Sequence, residues 1–509
     1  MSGKIIVTNG TALQKKYAAA GLARIKTAVK ALVAADAGRA IKTKLVFLDN
    51  AATMKSYGGK PVINERNAQQ NKDAIDAICK KENPDYLMIL GSVDVVPHQD
   101  LRNPVLPAAE DEDEFVPSDL PYACDAPYSR DVTKFKGPTR VVGRLPDLTG
   151  QTNPAYLLGL LDKAAKYKTR KVTDYGTYFG LSALVWQGST ELSLFNMFGN
   201  SDKLLLSPPQ GPSHPKAKLA PLSHFINCHG AAGEPTFSGQ KGDKYPDAMT
   251  TVKLKGKIKR DTVAAAECCY GAQLYNSIIL DVDMPICQEY LRQGAHGFFG
   301  STTIAYGPED GNAQADLITQ YFILEMLDGA SLGRAALVAR QKFVKQVAEL
   351  DPFDLKTLAQ FILLGDPSLQ PAEAAKATGV PKGLDPAVTR VQARGERRVK
   401  LRGEGLNLEK TKPTAARPQK GVRKSPKMRN VLRAIVREAG LRPAQSPGFT
   451  PFAVKTPAAA RQLVKAKKAA PFASRYHVTV GRDDNACRVG IVAKEVKGKI
   501  VGYRIYRQR

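Results

Sequence analysis

The sequence predicts a mixed α/β fold: mostly parallel sheets flanked by helices, arranged in two halves, with a basic C-terminal extension that carries a small β element. Three observations predict it. From Lys4 to Gln370, short apolar runs alternate with helix-length segments, the pattern of strands joined by crossover helices. Apolar residues make up 43% and charged residues 24%, ordinary values for a chain that buries a large core. The positive charge is unevenly spread: from Pro371 onward Lys and Arg number 33 against 9 Asp and Glu, whereas the rest holds 42 against 39. At 509 residues the chain has room for two or three domains. The expected division is an α/β half over 1–170, a second α/β half over 171–374, a basic flexible linker over 375–429 and a small basic domain over 430–509.

In order, residues 4–9 (KIIVTN) form a first buried strand and 14–35 a helix of good helix formers. Residues 44–49 and 85–91 are further strands, with a helix over 67–81 between them. His98 follows beside Pro97, and a lone loop histidine there is read as structural. Residues 108–115 (AAEDEDEF) are read as a solvated acidic loop; binding a cation or docking against the basic tail are the other readings. Residues 140–147 (RVVGRLPD) form a strand and 153–168 a helix. Residues 178–186 open a second strand series, in a second sheet or in the second half of a long one. A loop is expected over 187–200, with Glu191 early in it or, in the other reading, capping a helix after the Gly-Ser-Thr run, and a proline-rich surface loop over 207–218. Helices are expected over 285–293, 313–327 and 335–349, and strands over 295–306 and 360–370. Beyond 378 the composition is that of a linker, followed by a short helix over 430–439 and a small β-meander over 475–509.

Two of the apolar runs carry the chemistry. Residues 221–230 (PLSHFINCHG) end in His229 and Gly230, and residues 262–271 (TVAAAECCYG) end in Cys268, Cys269 and Gly271. Open α/β sheets gather their sites at the carboxyl ends of strands. A cysteine and a histidine from neighbouring strand ends are the minimum for a thiol nucleophile with its base, because the thiolate is the reactive form and an adjacent imidazole favours it. The backbone N–H groups of Gly230 and of the cysteine can then hold a carbonyl oxygen as it becomes an oxyanion. Buried strand cysteines are ordinarily core, and Cys228 is read that way. The Gly- and Lys-rich stretch 231–260 is read as a substrate-facing loop. The expected activity is that of a cysteine endopeptidase acting on protein substrates, with no metal and no cofactor.

The chain resembles the gingipain-type, caspase-like peptidases. The matching stretches are SDLPYACD with RVVGRLPD, then NCHG, AECCYG, GFFGSTTIAY and LLGDPSL, in the family's order from Ser118 to Leu369. The resemblance implies a caspase-like fold whose active site joins a His-Gly strand end to a Cys strand end. A departure is NCHGAAGEP, where gingipains carry a shorter polar run after the glycine. A gingipain-style Cys-x-x-Gly spacing selects Cys268, with Gly271. The broader caspase and metacaspase pattern selects Cys269, with Glu267 two residues before it. Cys269 is preferred, because Glu267 directly beside Cys268 would raise that thiol's pKa; Cys268 remains the alternative nucleophile. Basic-specific relatives line the first subsite with a carboxylate, which implies cleavage after Lys or Arg, with Glu191 or Glu267 as the acid and Tyr306 as a pocket wall. A basic linker would then be a target for autoprocessing.

MSGKIIVTNG lacks the apolar core of a secretory signal, and no window is apolar enough for a membrane span. The seven cysteines are scattered without CxxC pairs, which argues against a disulfide framework or a zinc site and fits a cytoplasmic setting. Two rival readings stand beside the peptidase. One is a catalytically inactive caspase-like scaffold that binds nucleic acid or another polyanion through its basic tail. The other is a different Cys-His enzyme, such as an acyl transferase or amidase.

Overall fold

The computed structural model describes residues 2–106, 111, 113–309, 311–347, 349–373, 417–418, 424–441, 449–453, 475–482, 488–496 and 499–507. Most of the expected linker, part of the acidic loop and Cys487 lie outside the described residues. Two compact units are present, one from Met1–Tyr275 with Asp283–Val399, the other from Asn276–Val282 with Lys400–Arg509.

The first unit opens with β1 (Ser2–Thr8), α1 (Gly10–Ala37), β2 (Ile41–Phe47), α2 (Ala51–Ser56), α3 (Ala68–Glu82) and β3 (Tyr86–Leu90). A small antiparallel pair, β4 (Gln99–Arg102) and β5 (Phe115–Ser118), precedes β6 (Val142–Leu145) and α4 (Ala155–Lys166). Next come β7 (Tyr178–Ala183), α5 (Gln187–Phe198), β8 (Leu204–Ser207) and β9 (Ser223–Asn227). A hairpin of β10 (Thr236–Ser238) and β11 (Asp247–Thr250) leads through the one-turn α6 (Thr251–Leu254) to β12 (Val263–Ala266). The helix α7 (Ser277–Leu280) belongs to the second unit. The first unit closes with α8 (Ile286–Gln293), β13 (Gly297–Ser301), α9 (Gln314–Leu327), α10 (Leu332–Gln346), α11 (Pro352–Gln360) and β14 (Phe361–Gly365).

Ten of these strands make one sheet, in the order β2-β1-β3-β6-β14-β13-β12-β9-β7-β8. Every neighbouring pair is parallel except β13 with β14. The second strand series is therefore the second half of a long sheet. Every residue of β9, β12, β13 and β14 is buried, as expected where helices cover both faces. Side chains alternate between the faces: Ala264 and Ala266 join one apolar cluster, Val263 and Ala265 the other.

Local signals start the helices where the sequence places polar caps. The side chains of Asn9, Asn67 and Ser331 accept N–H groups at the starts of α1, α3 and α10. The expected loop over 187–200 is instead α5. Its serines and threonines are loop-forming by composition, but here their hydroxyls bond back to carbonyls one turn earlier: Thr190 to Trp186 at 2.8 Å and Ser193 to Ser189 at 3.0 Å. The expected long loop over 231–260 is largely the β10–β11 hairpin and α6.

Buried ion pairs tie the sheet together. Arg144 on β6 grips Asp119 through Nε and Nη2 at 2.9 and 2.5 Å and donates to the carbonyls of Gly91 and Val96. His98 Nδ1 lies 2.9 Å from the same carboxylate, so it belongs to this buried cluster. Burial alone would push the Asp119 carboxyl up, but Arg144 and His98 outweigh it and hold it below the usual range. Lys4 on β1 pairs with Asp36 at 3.0 Å and with Asp366, in the turn after β14, at 2.5 Å.

The second unit holds a five-stranded antiparallel sheet: β15 (Arg417–Pro418), β16 (Thr450–Ala453), β17 (Arg475–Arg482), β18 (Arg488–Val496) and β19 (Lys499–Arg507). Its helix α12 (Pro426–Glu438) buries Met428, Leu432, Ile435 and Val436 in one cluster with Ile279 of α7 and with Val489, Ile491 and Ala493. The expected meander and short helix are both present. Among the described residues, no helix is long and apolar enough to cross a membrane, and no group of side chains is arranged to hold a metal ion.

Burial lowers the imidazole pKa of His224 and of His296 to about 4. The unfolded value is about 6.5. Below that pH the unfolded chain takes up protons that the folded chain refuses, so stability falls as pH drops toward 4, by up to about 3 kcal/mol per histidine. Urea unfolding measured across pH 4–7 is expected to show this decline. The His224→Gln variant is expected to show a shallower one.

Candidate active site

Strands β9 and β12 are parallel neighbours, with Ser223 opposite Val263 and Ile226 opposite Ala266. The Glu267 N–H donates to the Ile226 carbonyl at 2.9 Å, so the pairing continues past the strands' formal ends. Continued by the same stagger, Cys268 falls level with Cys228 and Cys269 falls level with His229. Gly230 shows how close the two chains are. A Cβ built there would lie 1.8 Å from the Cys269 carbonyl oxygen and 3.0 Å from its carbonyl carbon. The position requires glycine because backbone meets backbone.

The strand alternation also sorts the cysteines. Cys228 and Cys268 enter one apolar cluster, with their thiols toward the carbonyls of Leu181 and Ile226. Cys269 enters the cluster on the opposite face. Burial pushes the Cys268 thiol far above its ordinary pKa. The Cys269 sulfur accepts the Ala305 N–H at 3.3 Å and donates to the Ala305 carbonyl at 3.6 Å. An N–H aimed at sulfur favours the thiolate. Tyr270, the next residue, has φ 55°, an uncommon conformation for a bulky side chain and one often found at functional sites. Its N–H donates to the Thr303 carbonyl at 2.9 Å.

His229 is held on several sides. Its backbone exchanges hydrogen bonds with Ser238 at 2.8 and 2.9 Å. Its ring centroid lies 4.3 Å from that of Trp186 and 5.1 Å from that of Tyr245. Its Nε2 lies 2.7 Å from Gln240 Oε1. The sequence reading missed Trp186, Gln240 and Tyr245. Gln240 and Tyr245 fall inside the stretch read as a loop, and their only signal was nearness in sequence to His229.

Each of the expected substrate residues is engaged by a neighbour within the protein. Glu191 lies on α5, half-buried, and accepts from Gln187 Nε2 at 2.7 Å. Glu267 is 1% exposed and accepts the Thr319 hydroxyl of α9 at 3.1 Å. Of the two carboxylates, Glu191 is the more accessible. Tyr306 is buried, with its ring against Phe353 at 4.8 Å and its hydroxyl on Asp111 Oδ2 at 2.6 Å.

The described part of the acidic loop is packed against this region. Asp111 and Asp113 both pair with the fully buried Lys356 of α11. Asp113 also accepts the Tyr270 hydroxyl at 2.7 Å and the Ile304 N–H at 2.9 Å. Those two residues flank Cys269 and the Ala305 N–H that meets its sulfur. Burial, then the neighbouring carboxylates, raise the Tyr270 and Tyr306 hydroxyl pKa values, so both tyrosines act as donors.

No protein-family model matches the chain, and no curated protein matches it in sequence. Among solved structures it is similar to a protease, at 12% identity and a TM-score of 0.47 over 100% of this chain and 97% of that one. It is similar to the complex of the pro- and mature domains of RgpB from Porphyromonas gingivalis, at 11% identity and a TM-score of 0.48 over 99% of both chains. A weaker similarity, at 15% identity and a TM-score of 0.27, links 46% of this chain to 14% of a chain in the separase–securin complex of Saccharomyces cerevisiae.

The Gly230→Ala variant is expected to lose about 3 kcal/mol of stability, because the clash is with backbone rather than a flexible side chain. The control is Gly159→Ala on α4, where a Cβ has nothing within 4 Å. That change is expected to be neutral or to stabilise by about 0.5–1 kcal/mol. Parallel urea titrations distinguish the two.

Proposed function

We propose that the chain is a cysteine endopeptidase in which Cys269 is the nucleophile and His229 its base. The observation that carries this reading is the backbone contact of Gly230 with Cys269 at the ends of two paired strands, whose stagger, continued past those ends, sets Cys269 level with His229. Cys269 is preferred to Cys268 because the latter points into the opposite cluster, where burial keeps its thiol protonated. In the reaction, His229 takes the thiol proton and the Cys269 sulfur attacks the scissile carbonyl. The N–H groups of Gly230 and Cys269 stabilise the oxyanion. As the C–N bond breaks, His229 returns the proton to the leaving amine, and a thioester remains. Water, deprotonated by the same imidazole, then hydrolyses the thioester and regenerates the thiol.

Glu191 is our candidate for the carboxylate that pairs with a substrate Lys or Arg side chain, and Tyr306 for a residue that backs the pocket. Cleavage after basic residues would make the Lys- and Arg-rich stretch 375–429 a substrate of the chain's own site. A second reading, polyanion binding by the basic unit, is favoured by Arg429, Arg433 and Arg437. They stand exposed four residues apart along α12, about 6 Å per step. Binding of a nucleic-acid duplex that weakens steeply with salt, without thiol reactivity, would favour this reading over the peptidase.

An acyloxymethyl ketone bearing a P1 lysine or arginine is expected to label Cys269 in wild type and in Cys268→Ala, and to leave Cys269→Ala unlabelled. Labelling that persists in Cys269→Ala and disappears in Cys268→Ala would reverse the assignment. Peptide turnover is expected to fall by a factor of about a thousand or more in Cys269→Ala. During incubation of the purified chains, fragments ending in the basic stretch are expected from wild type and not from Cys269→Ala. Equal trimming of both would remove the autoprocessing proposal.

A further inference from the structure

The thiol–imidazole reading leaves open which ring nitrogen of His229 is the base. A neutral imidazole carries one proton, so one nitrogen donates and the other holds the basic lone pair. The hydrogen-bond network around Gln240 decides between them. The Gly242 carbonyl can only accept, and Gln240 Nε2 donates to it at 3.1 Å. That contact fixes which end of the carboxamide is the NH2 group. The other end, Oε1, can only accept, and it lies 2.7 Å from His229 Nε2. The proton of the neutral ring is therefore on Nε2.

Gln240 is itself firmly placed. Its N–H donates to the Ser207 carbonyl at the end of β8 at 3.1 Å. The preceding residue, Gly239, donates to the Pro246 carbonyl at 2.8 Å, and a Cβ there would lie 2.2 Å from the Ser207 carbonyl oxygen. Two residues earlier, Ser238 exchanges its backbone hydrogen bonds with His229 itself. One short stretch thus holds the histidine by its main chain and by its ring. Trp186 and Tyr245 lie against that ring.

We propose that Gln240 is a positioning residue: its carboxamide, oriented by the Gly242 carbonyl, holds His229 in the Nε2–H tautomer and so puts the basic lone pair on Nδ1. The inference rests on the reading of Cys269 and His229 as nucleophile and base. In that reading Nδ1 takes the thiol proton, while Nε2–H stays on Gln240 throughout. The carboxamide carries no charge, so it sets the tautomer without adding a counter-charge to the imidazolium. Gln240 acts on the ring and touches no reacting atom.

The test is a long-range 1H–15N spectrum of the full chain labelled with 15N-histidine, with the His229 signals identified by their loss in His229→Gln. Wild type is expected to show the Nε2–H tautomer. Gln240→Leu is expected to show mixed tautomers and a rate of Cys269 alkylation by iodoacetamide reduced roughly tenfold or more. Gln240→Glu keeps an acceptor at the same place and is expected to restore the Nε2–H signature. An Nδ1–H signature in wild type would overturn the proposal, and so would an unchanged tautomer and alkylation rate in Gln240→Leu. If Gln240→Leu does not fold, Gln240→Met, which keeps the side-chain length without the carboxamide, carries the same two readouts and the same overturning result. If the tautomers are as expected but no peptide is cleaved, the Gln240 assignment survives and the peptidase reading fails. A peptidase with the wrong tautomer reverses that outcome.

Discussion

The pairing of β9 with β12 is the constraint on which the candidate site depends. In a parallel ladder, a slip of one residue would turn every side chain to the opposite face. With Ile226 opposite Ala266, the stagger continued past the strand ends sets Cys269 level with His229 and Cys268 level with Cys228, and Cys269 lies in a different apolar cluster from Cys228 and Cys268. A one-residue slip would turn Cys268 to the face that Cys269 now occupies and send Cys269 toward the apolar cluster that holds Cys228. The register is held by burial on both faces and by the lack of room at Gly230, where no side chain fits beside the Cys269 carbonyl.

Around this contact the chain invests buried charge. Lys356 lies fully inside, between Asp111 and Asp113, and Asp113 reaches both Tyr270 and the Ile304 N–H. An isolated ammonium would be very costly at such a depth, and the two carboxylates with their tyrosine and amide donors make it tolerable. The same network holds Tyr270 in its left-handed conformation directly after Cys269. Preorganisation of this kind lets a site act without rearranging during the reaction.

Much of this was legible in the sequence, and the remainder was hidden for identifiable reasons. The alternation of apolar runs with helical segments gave the α/β sheet, and the reactive residues before glycines marked the strand ends that meet. The choice between Cys268 and Cys269 was not legible from side-chain alternation, which needs the stagger of two strands distant in sequence before it selects a face. The α5 helix was only half legible, as a helix that Glu191 could cap, because its serines and threonines have loop composition until their hydroxyls find carbonyls one turn back. Gln240 and Tyr245 were hidden because their part depends on a hairpin that folds back onto His229. The acidic run was read as solvated because its partner, Lys356, lies more than two hundred residues away.

One feature of the sheet bears on how the chain is made. The strand β14, Phe361–Gly365, is the last of the ten in sequence, yet it lies between β6 and β13 in the middle of the order. A ribosome must therefore synthesise nearly the whole first unit before its central strand emerges. Until then the nascent polypeptide holds two part-sheets, each with an apolar, unpaired edge of the kind that invites association with other chains. Arrival of β14 closes both edges at once, so a message truncated shortly before residue 361 would yield one chain with two sticky part-sheets rather than a smaller version of the folded unit.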